Sequence, residues 1–197
     1  MAEPTTDERT ALDGLRVACL TANEGVEQIE LVQPRDALQH ADAIVTLVAP
    51  EAGEIQAFDH LDKGDTFTAD RAVADVSVDD FDALLLPGGV ANPDALRMDA
   101  DAVAFVRAMV EAGKPVAAIC HAPWVLVEAD LVRARRLTSW PSLQTDVRNA
   151  GGQWVDEEVV VCTGGPNLLV TSRKPDDLPR FCEEMLSAFA NPALAVS

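Results

Sequence analysis

Cys120 and its neighbour His121 are the residues of this sequence best placed for covalent chemistry. They follow the apolar run Val116-Ala117-Ala118-Ile119 and precede a stretch in which Val125, Leu126, Ala129 and Val132 recur at helical spacing. Cys120 is therefore expected on a tight strand-to-helix turn, with its side chain aimed at the ligand face, as in a nucleophile elbow. A free cysteine is by default a small buried hydrophobe. A sulfur at a helix N-terminus, however, meets unpaired N–H groups and the positive end of the macrodipole, both of which favour thiolate. His121 supplies a cation or a base beside it. A second element, Pro87-Gly88-Gly89, ends another apolar run and leaves backbone N–H groups free to hold an oxyanion together with the His121 amide. The third element is acidic. Glu27 or Glu24 can turn inward toward the sulfur while Glu30 continues along the helix. A carboxyl held beside sulfur in a partly dry pocket has its pKa raised and can move protons near neutral pH.

These groups need a scaffold that brings three loop ends together, and the alternation of apolar runs with helical patterns supplies one. Arg16 to Ala22 reads as a strand, Glu27 to His40 as a helix and Ala43 to Ala49 as a strand, a β-α-β unit. Ala83 to Pro87 and Val116 to Cys120 read as buried strands, followed by helices over about Ala100 to Ala112, capped by Gly113, and His121 to Val132. Arg136 to Trp140 and Glu157 to Cys162 read as further strands. Leu168 to Ser172 forms a hairpin with the latter across Gly164-Gly165-Pro166-Asn167, and a last helix covers Asp176 to Ala190. Residues 51–80 suggest a small β excursion over the main sheet. The expected fold is α/β, a mostly parallel sheet with helices on both faces. Ligands in such folds bind beyond the carboxyl ends of the strands, here Ala22-Asn23-Glu24, Pro87-Gly88-Gly89 and Cys120-His121. Residues 1–14 read as a flexible acidic lead-in, 15–190 as one domain and 191–197 as a tail.

Composition narrows the function classes. At 197 residues and 48% apolar, the chain is long enough to fold as one domain around a sizeable core. With 33 acidic and 15 basic residues its formal charge is −18, which repels phosphate backbones and anionic lipid, and no basic stripe offsets it. Nucleic-acid and membrane partners are therefore not expected. An acidic surface suits a salty cytoplasm or an acidic mesophile equally. Cys19, Cys120, Cys162 and Cys182 form no C-x-x-C pair, and the histidines are not clustered, which argues against a disulfide framework and against a zinc site. The polar, acidic start Met1 to Glu8 is unlike a secretory leader, so a cytoplasmic location is expected.

The segments Leu20-Thr21-Ala22-Asn23-Glu24-Gly25-Val26-Glu27-Gln28-Ile29-Glu30-Leu31, Leu86-Pro87-Gly88-Gly89, Ala118-Ile119-Cys120-His121-Ala122-Pro123-Trp124, Thr138-Ser139-Trp140-Pro141 and Thr171-Ser172-Arg173-Lys174-Pro175 together resemble the PfpI family of the PfpI/DJ superfamily. The resemblance spans about residues 15–190. It implies a flavodoxin-like three-layer sandwich, a nucleophilic Cys120, and Glu27 as the acid touching the sulfur, with Glu24 as second choice. It also implies a cofactor-free site and a homo-oligomer, a dimer or higher, in which Asp94 of one subunit orients His121 of another. Ala122 departs from the family pattern, which usually has glycine there. Trp124 and Trp140 are expected at the pocket mouth, at an interface or in ordinary packing.

Three activities compete. The resemblance favours a glutathione-independent glyoxalase or deglycase acting on reactive dicarbonyls or glycated side chains, in which loss of Cys120 or of the Glu27 carboxylate abolishes turnover. Peptide hydrolysis is second. With only His40, His60 and His121 in the chain, no downstream histidine can build a papain-like or glutamine-amidotransferase triad, so His121 and Asp94 would have to suffice. A redox sensor or holding chaperone with an oxidisable Cys120 is third. His60 is expected at the surface or on the pocket rim, and His40 at its helix end.

Overall fold

Four short, largely apolar runs in this chain each become a strand buried on both faces. They are β7 (Ala83–Leu86), β8 (Val116–Ile119), β12 (Leu169–Ser172) and, past its exposed first residue, β1 (Arg16–Leu20). Such runs belong inside a parallel sheet covered on both sides. The computed structural model describes residues 12–191. Between and beyond those strands lie β2 (Glu24–Glu27), α1 (Gln28–His40), β3 (Ile44–Ala49), β4 (Gly53–Asp59), β5 (Asp62–Ala69), β6 (Arg71–Ala72), α2 (Ala91–Leu96), α3 (Ala100–Glu111), α4 (Pro123–Glu128), β9 (Arg136–Leu137), α5 (Gln144–Asn149), β10 (Gln153–Trp154), β11 (Val159–Cys162) and α6 (Leu178–Ala190).

The main sheet has the order β11-β12-β8-β7-β1-β3-β6, and every pairing in it is parallel except the β11–β12 hairpin. Alternate residues of each strand feed two cores. Val17, Cys19, Leu85, Ala117 and Ile119 pack with Leu31 and Leu38 of α1 and Phe181, Met185 and Phe189 of α6. Ala18, Leu20, Leu84, Leu86 and Ala118 pack with Val106 and Met109 of α3, Val125 of α4 and Val147 of α5. This is the three-layer α/β sandwich the sequence led one to expect. The chain runs outward from β1 to β3 and then returns to β7 on the other side, so strand order reverses between β1 and β7. A crevice opens there at the carboxyl ends.

Helix ends follow their sequence signals. The Asp99 carboxylate accepts the Ala102 N–H (2.8 Å) at the start of α3. Gly113, at φ 75°, closes that helix with Gly113 N–H to Val110 O and Lys114 N–H to Met109 O, the two bonds of a Schellman turn.

Four expectations are corrected. Leu12 is 2% exposed and donates to Ala41 O, so the packed body begins before residue 15. The rest of the supposed lead-in (1–11) and nearly all of the tail (192–197) lie outside the described residues. Glu24–Glu27 is a strand paired with β4, in a small separate sheet β2-β4-β5, and the helix begins after it. α4 stops at Glu128 because Asp130 adopts φ 54°, and Leu131 N–H closes back on Leu126 O. The strand expected over Arg136 to Trp140 shrinks to β9, paired with β10 away from the main sheet. α2 and α5, six residues each, are too short to display a period.

Candidate active site

Cys120 is the first residue after β8 and holds φ at 62°, a left-handed conformation that costs a non-glycine residue roughly 1–3 kcal/mol. Two backbone bonds keep it there. Its N–H donates to Ser172 O (3.0 Å), and its carbonyl accepts from Trp140 N–H (2.8 Å). The sulfur is thereby turned out of the sheet into the crevice, at 6% exposure for the residue. Ala122 lies at φ −52°, ψ −34°, in the ordinary helical region, so no glycine is required there and its methyl group is absorbed in the core.

The carboxyl beside the sulfur belongs to Glu30. The sequence pattern sends this residue along the helix and favours Glu27 or Glu24; Glu30 is instead the fully buried one of the three, in the first turn of α1. Gly88 sits between the two side chains. A Cβ on Gly88 would fall 2.4 Å from Glu30 Oε2 and 2.6 Å from Cys120 Cβ, so only glycine lets acid and sulfur approach. Neither Glu30 oxygen has a hydrogen bond of good geometry, and the Cys120 thiol and the Gly88 and Gly89 amides are its polar neighbours. Burial pushes Glu30 up to about 8, so it is mostly protonated at neutral pH.

Burial also raises Cys120 above its ordinary value, Glu30 adds to this when it is ionised, and the Gly89 and His121 amides oppose it. Burial thus works against the thiolate expected from the helix terminus. A six-residue α4 has little macrodipole to set against full burial. His121 is pushed down to about 4 by burial and is neutral at pH 7, with Nδ1 3.1 Å from the sulfur. Its Nε2 lies 3.5 Å from Ser142 Oγ, and its ring stacks on Trp140 at 5.6 Å between centroids. The sulfur thus sits between a neutral imidazole nitrogen and a carboxyl that titrates near neutrality.

The remaining sequence candidates are sorted by the fold. Glu27, named as the acid on the sulfur, instead accepts the His60 N–H (3.2 Å) at the tip of the β4–β5 hairpin. The physical reason is β2: in an extended segment with a bulge at Gly25 (φ 96°), Glu27 is aimed at the neighbouring hairpin and not at β8. Glu24 is exposed on the pocket wall. Gly89 (φ 86°) lines the pocket, whereas Gly88 lies behind it. Trp140 lines the mouth. Trp124 does not. It stands behind His121 (5.3 Å), donates Nε1–H to Asp146 (2.8 Å) and carries the Arg97 guanidinium over its ring (4.7 Å). Asp94 is exposed and binds Arg97 at 2.9 and 2.5 Å, so within one chain it does not reach His121. The other cysteines are buried in the two cores, as ordinary packing.

Sequence reasoning missed Asn92. Wholly buried in α2, it accepts the Ala22 N–H (2.6 Å) and donates to Pro87 O (2.9 Å) and Gly88 O (3.0 Å), tying the ends of β1 and β7 together. An asparagine just after a diglycine was its only visible sign. The whole crevice encloses about 580 Å³ and is walled largely by apolar groups, including Phe58, Leu61, Val90 and Pro175, with Cys120 and Glu30 among its lining residues.

Comparison with known proteins agrees with this geometry. The DJ-1/PfpI family model matches residues 15–188. Protein/nucleic acid deglycase 2 of Escherichia coli (strain K12) is 42% identical over 172 residues, 87% of this chain and 95% of the relative. YraA of Bacillus subtilis (strain 168), which carries a provisional cysteine-protease name, is 41% identical over 87% of this chain and 96% of its own. The crystal structure of Drosophila melanogaster DJ-1beta superposes with a TM-score of 0.77 at 26% identity, covering 92% of this chain and 94% of that one. With a left-handed cysteine at the end of β8, a diglycine at the end of β7 and a sequence match over nearly the whole described chain, the protein belongs to the DJ-1/PfpI family.

Proposed function

We propose that this protein is a cysteine-dependent, cofactor-free enzyme acting on reactive dicarbonyls and on the adducts they form with amino-acid side chains, a deglycase or glutathione-independent glyoxalase. The observation that carries it is the Cys120 sulfur set between the Glu30 carboxyl and the His121 imidazole in an apolar crevice. The sulfur adds to the substrate's aldehyde carbon while ionised Glu30 takes the thiol proton. The Gly89 and His121 amides receive the oxygen that gains charge. Protonated Glu30 gives its proton to the hemithioacetal oxygen; the carboxylate so restored takes the proton from the former aldehyde carbon and returns it to the adjacent carbon, and water hydrolyses the resulting thioester, freeing the product acid and the Cys120 thiol.

A crevice of about 580 Å³ has room for a whole modified side chain as well as a three-carbon dicarbonyl. Glu24 and Glu27 on its walls suit a substrate bearing positive charge. The name of the Escherichia coli relative extends to nucleic acid; a charge of −18 on this chain favours small-molecule and protein adducts instead. Peptide hydrolysis is less well supported, because a histidine held near 4 is a poor base for activating the sulfur. Asp94 of a partner subunit orienting His121 belongs to the same reading: the side chain is exposed and both of its bonds to Arg97 fall on Oδ1, which keeps Oδ2 for such a contact.

The test is turnover of free methylglyoxal and of methylglyoxal-treated N-acetylarginine and N-acetylcysteine, without glutathione or metal, in wild type, Cys120→Ser and Glu30→Gln. Lactate formed by the wild type alone is the expected result. Full activity in Cys120→Ser, or none with any substrate in the wild type, refutes the reading.

A further inference from the structure

The hairpin between β4 and β5 turns at Asp59-His60-Leu61-Asp62, and its tip hangs over the crevice. There it brings a histidine and two carboxylates together from segments more than thirty residues apart. Donor atoms of Glu27, Asp59 and His60 lie within 4.8 Å of one another. His60 Nδ1 stands 3.7 Å from Glu27 Oε2, too far for a hydrogen bond. Glu27 is instead held by the His60 backbone N–H, which fixes its carboxylate while leaving the ring nitrogen unused on that side.

That spacing suits an ion between the groups. Zinc binds nitrogen and carboxylate oxygen at about 2.0–2.2 Å, so tetrahedral ligands around it lie roughly 3.4 Å apart. The observed 3.7 Å needs almost no adjustment, and Asp59, exposed at the tip, has the freedom to supply the third bond. A set of one imidazole and two carboxylates fits zinc and its borderline neighbours, whereas calcium and magnesium prefer six or more oxygens. Glu27 is only 8% exposed, so the site is anchored on one side in the protein body. The chain's charge of −18 raises the local concentration of any cation.

We infer that Glu27, Asp59 and His60 form a three-ligand site for a divalent transition-metal cation, of the Zn²⁺ class, at the mouth of the Cys120 crevice, with its fourth position open to water or substrate. The site is separate from the sulfur chemistry: no step assigned to Cys120 passes through it. An ion there joins the hairpin tip to the end of β2 and narrows the approach to the sulfur.

Zn²⁺ titration by calorimetry tests this, using the full chain in a Cys120→Ser background so that the thiol cannot ligate. One-to-one binding is expected, unaffected by millimolar Mg²⁺ and weakened at least about tenfold by adding His60→Ala, since even outer-shell partners of a metal are worth that much. His60 is exposed, so its loss leaves the fold intact. A second measurement uses wild-type Cys120: Zn²⁺ should slow its alkylation by iodoacetamide, and His60→Ala should remove that protection. Absence of binding at millimolar Zn²⁺, binding indifferent to His60→Ala, or equal protection of Cys120 in both proteins overturns the inference.

Discussion

Replacing Glu30 by glutamine should change how stability depends on pH, in a direction and by an amount that follow from burial. In the unfolded chain this carboxyl ionises near 4.5, and in the folded protein burial holds it up to about 8. Below pH 4.5 it is protonated in both states and adds no pH dependence. Between 4.5 and 8 the folded state keeps a proton that the unfolded state releases, so stability falls as pH rises, by about 1.36 kcal/mol per pH unit. The stabilisation is thus fully present below 4.5 and lost by the time pH passes about 8; the gap amounts to about 5 kcal/mol. Glutamine has the same shape and no proton to lose. Urea unfolding of wild type and Glu30→Gln at pH 4.5, 6 and 8.5 should therefore give a stability difference that moves by about 5 kcal/mol in favour of the variant toward high pH. Titrating groups remote from Glu30 cancel in that difference; Cys120 and Glu27, which feel its charge, are the two that do not. A difference that stays flat to within about 1 kcal/mol refutes the claim that Glu30 is held neutral beside the sulfur.

Four further outcomes are expected. If ionised Glu30 takes the thiol proton, kcat/KM rises with pH to a plateau above about 8, and Glu30→Gln lowers it by about 10²–10⁴-fold; a flat profile from pH 6 to 9 contradicts that role. Asn92→Ala leaves Ala22 N–H, Pro87 O and Gly88 O without their buried partner and should cost about 3 kcal/mol or more, lowering Tm by roughly 6–12 °C. Gly88→Ala places a methyl 2.4 Å from Glu30 Oε2 and 2.8 Å from Ile119 O, and calorimetry should find it destabilised by about 1–3 kcal/mol with turnover lost. Ala122→Gly, by contrast, restores the family's usual residue at the N-cap of α4, where glycine is well tolerated; it should change stability by less than about 1 kcal/mol and leave kcat/KM within a factor of about two.

Cys120 and the diglycine were legible in the sequence because each ends an apolar run, and such a run can only be a strand covered on both faces. The topology then followed from chirality and crossover rules. Two things were not legible. The reactive form of the sulfur depends on how completely it is covered, which no local pattern reveals: full burial outweighs a short helix end. The identity of the acid depended on where α1 begins, and that is decided by β2 pairing with β4, a contact between segments about thirty residues apart. The sequence carried only part of the signal for the acid. Glu30, Leu31, Pro34 and Leu38 are the buried residues of α1, at helical spacing, so Glu30 occupies a place in the apolar stripe where a carboxyl is penalised. Glu27 shares that spacing, three residues before Glu30 and four before Leu31, and only the pairing of β2 with β4 takes it out of the helix. A helix that gives a core position to an ionisable group forgoes several kcal/mol of stability at neutral pH, and the penalty is compensated only if the group has a task there. The helical stripe read from the sequence holds both Glu27 and Glu30, and the start of α1 after β2 is what leaves Glu30 as the fully buried carboxyl beside the sulfur.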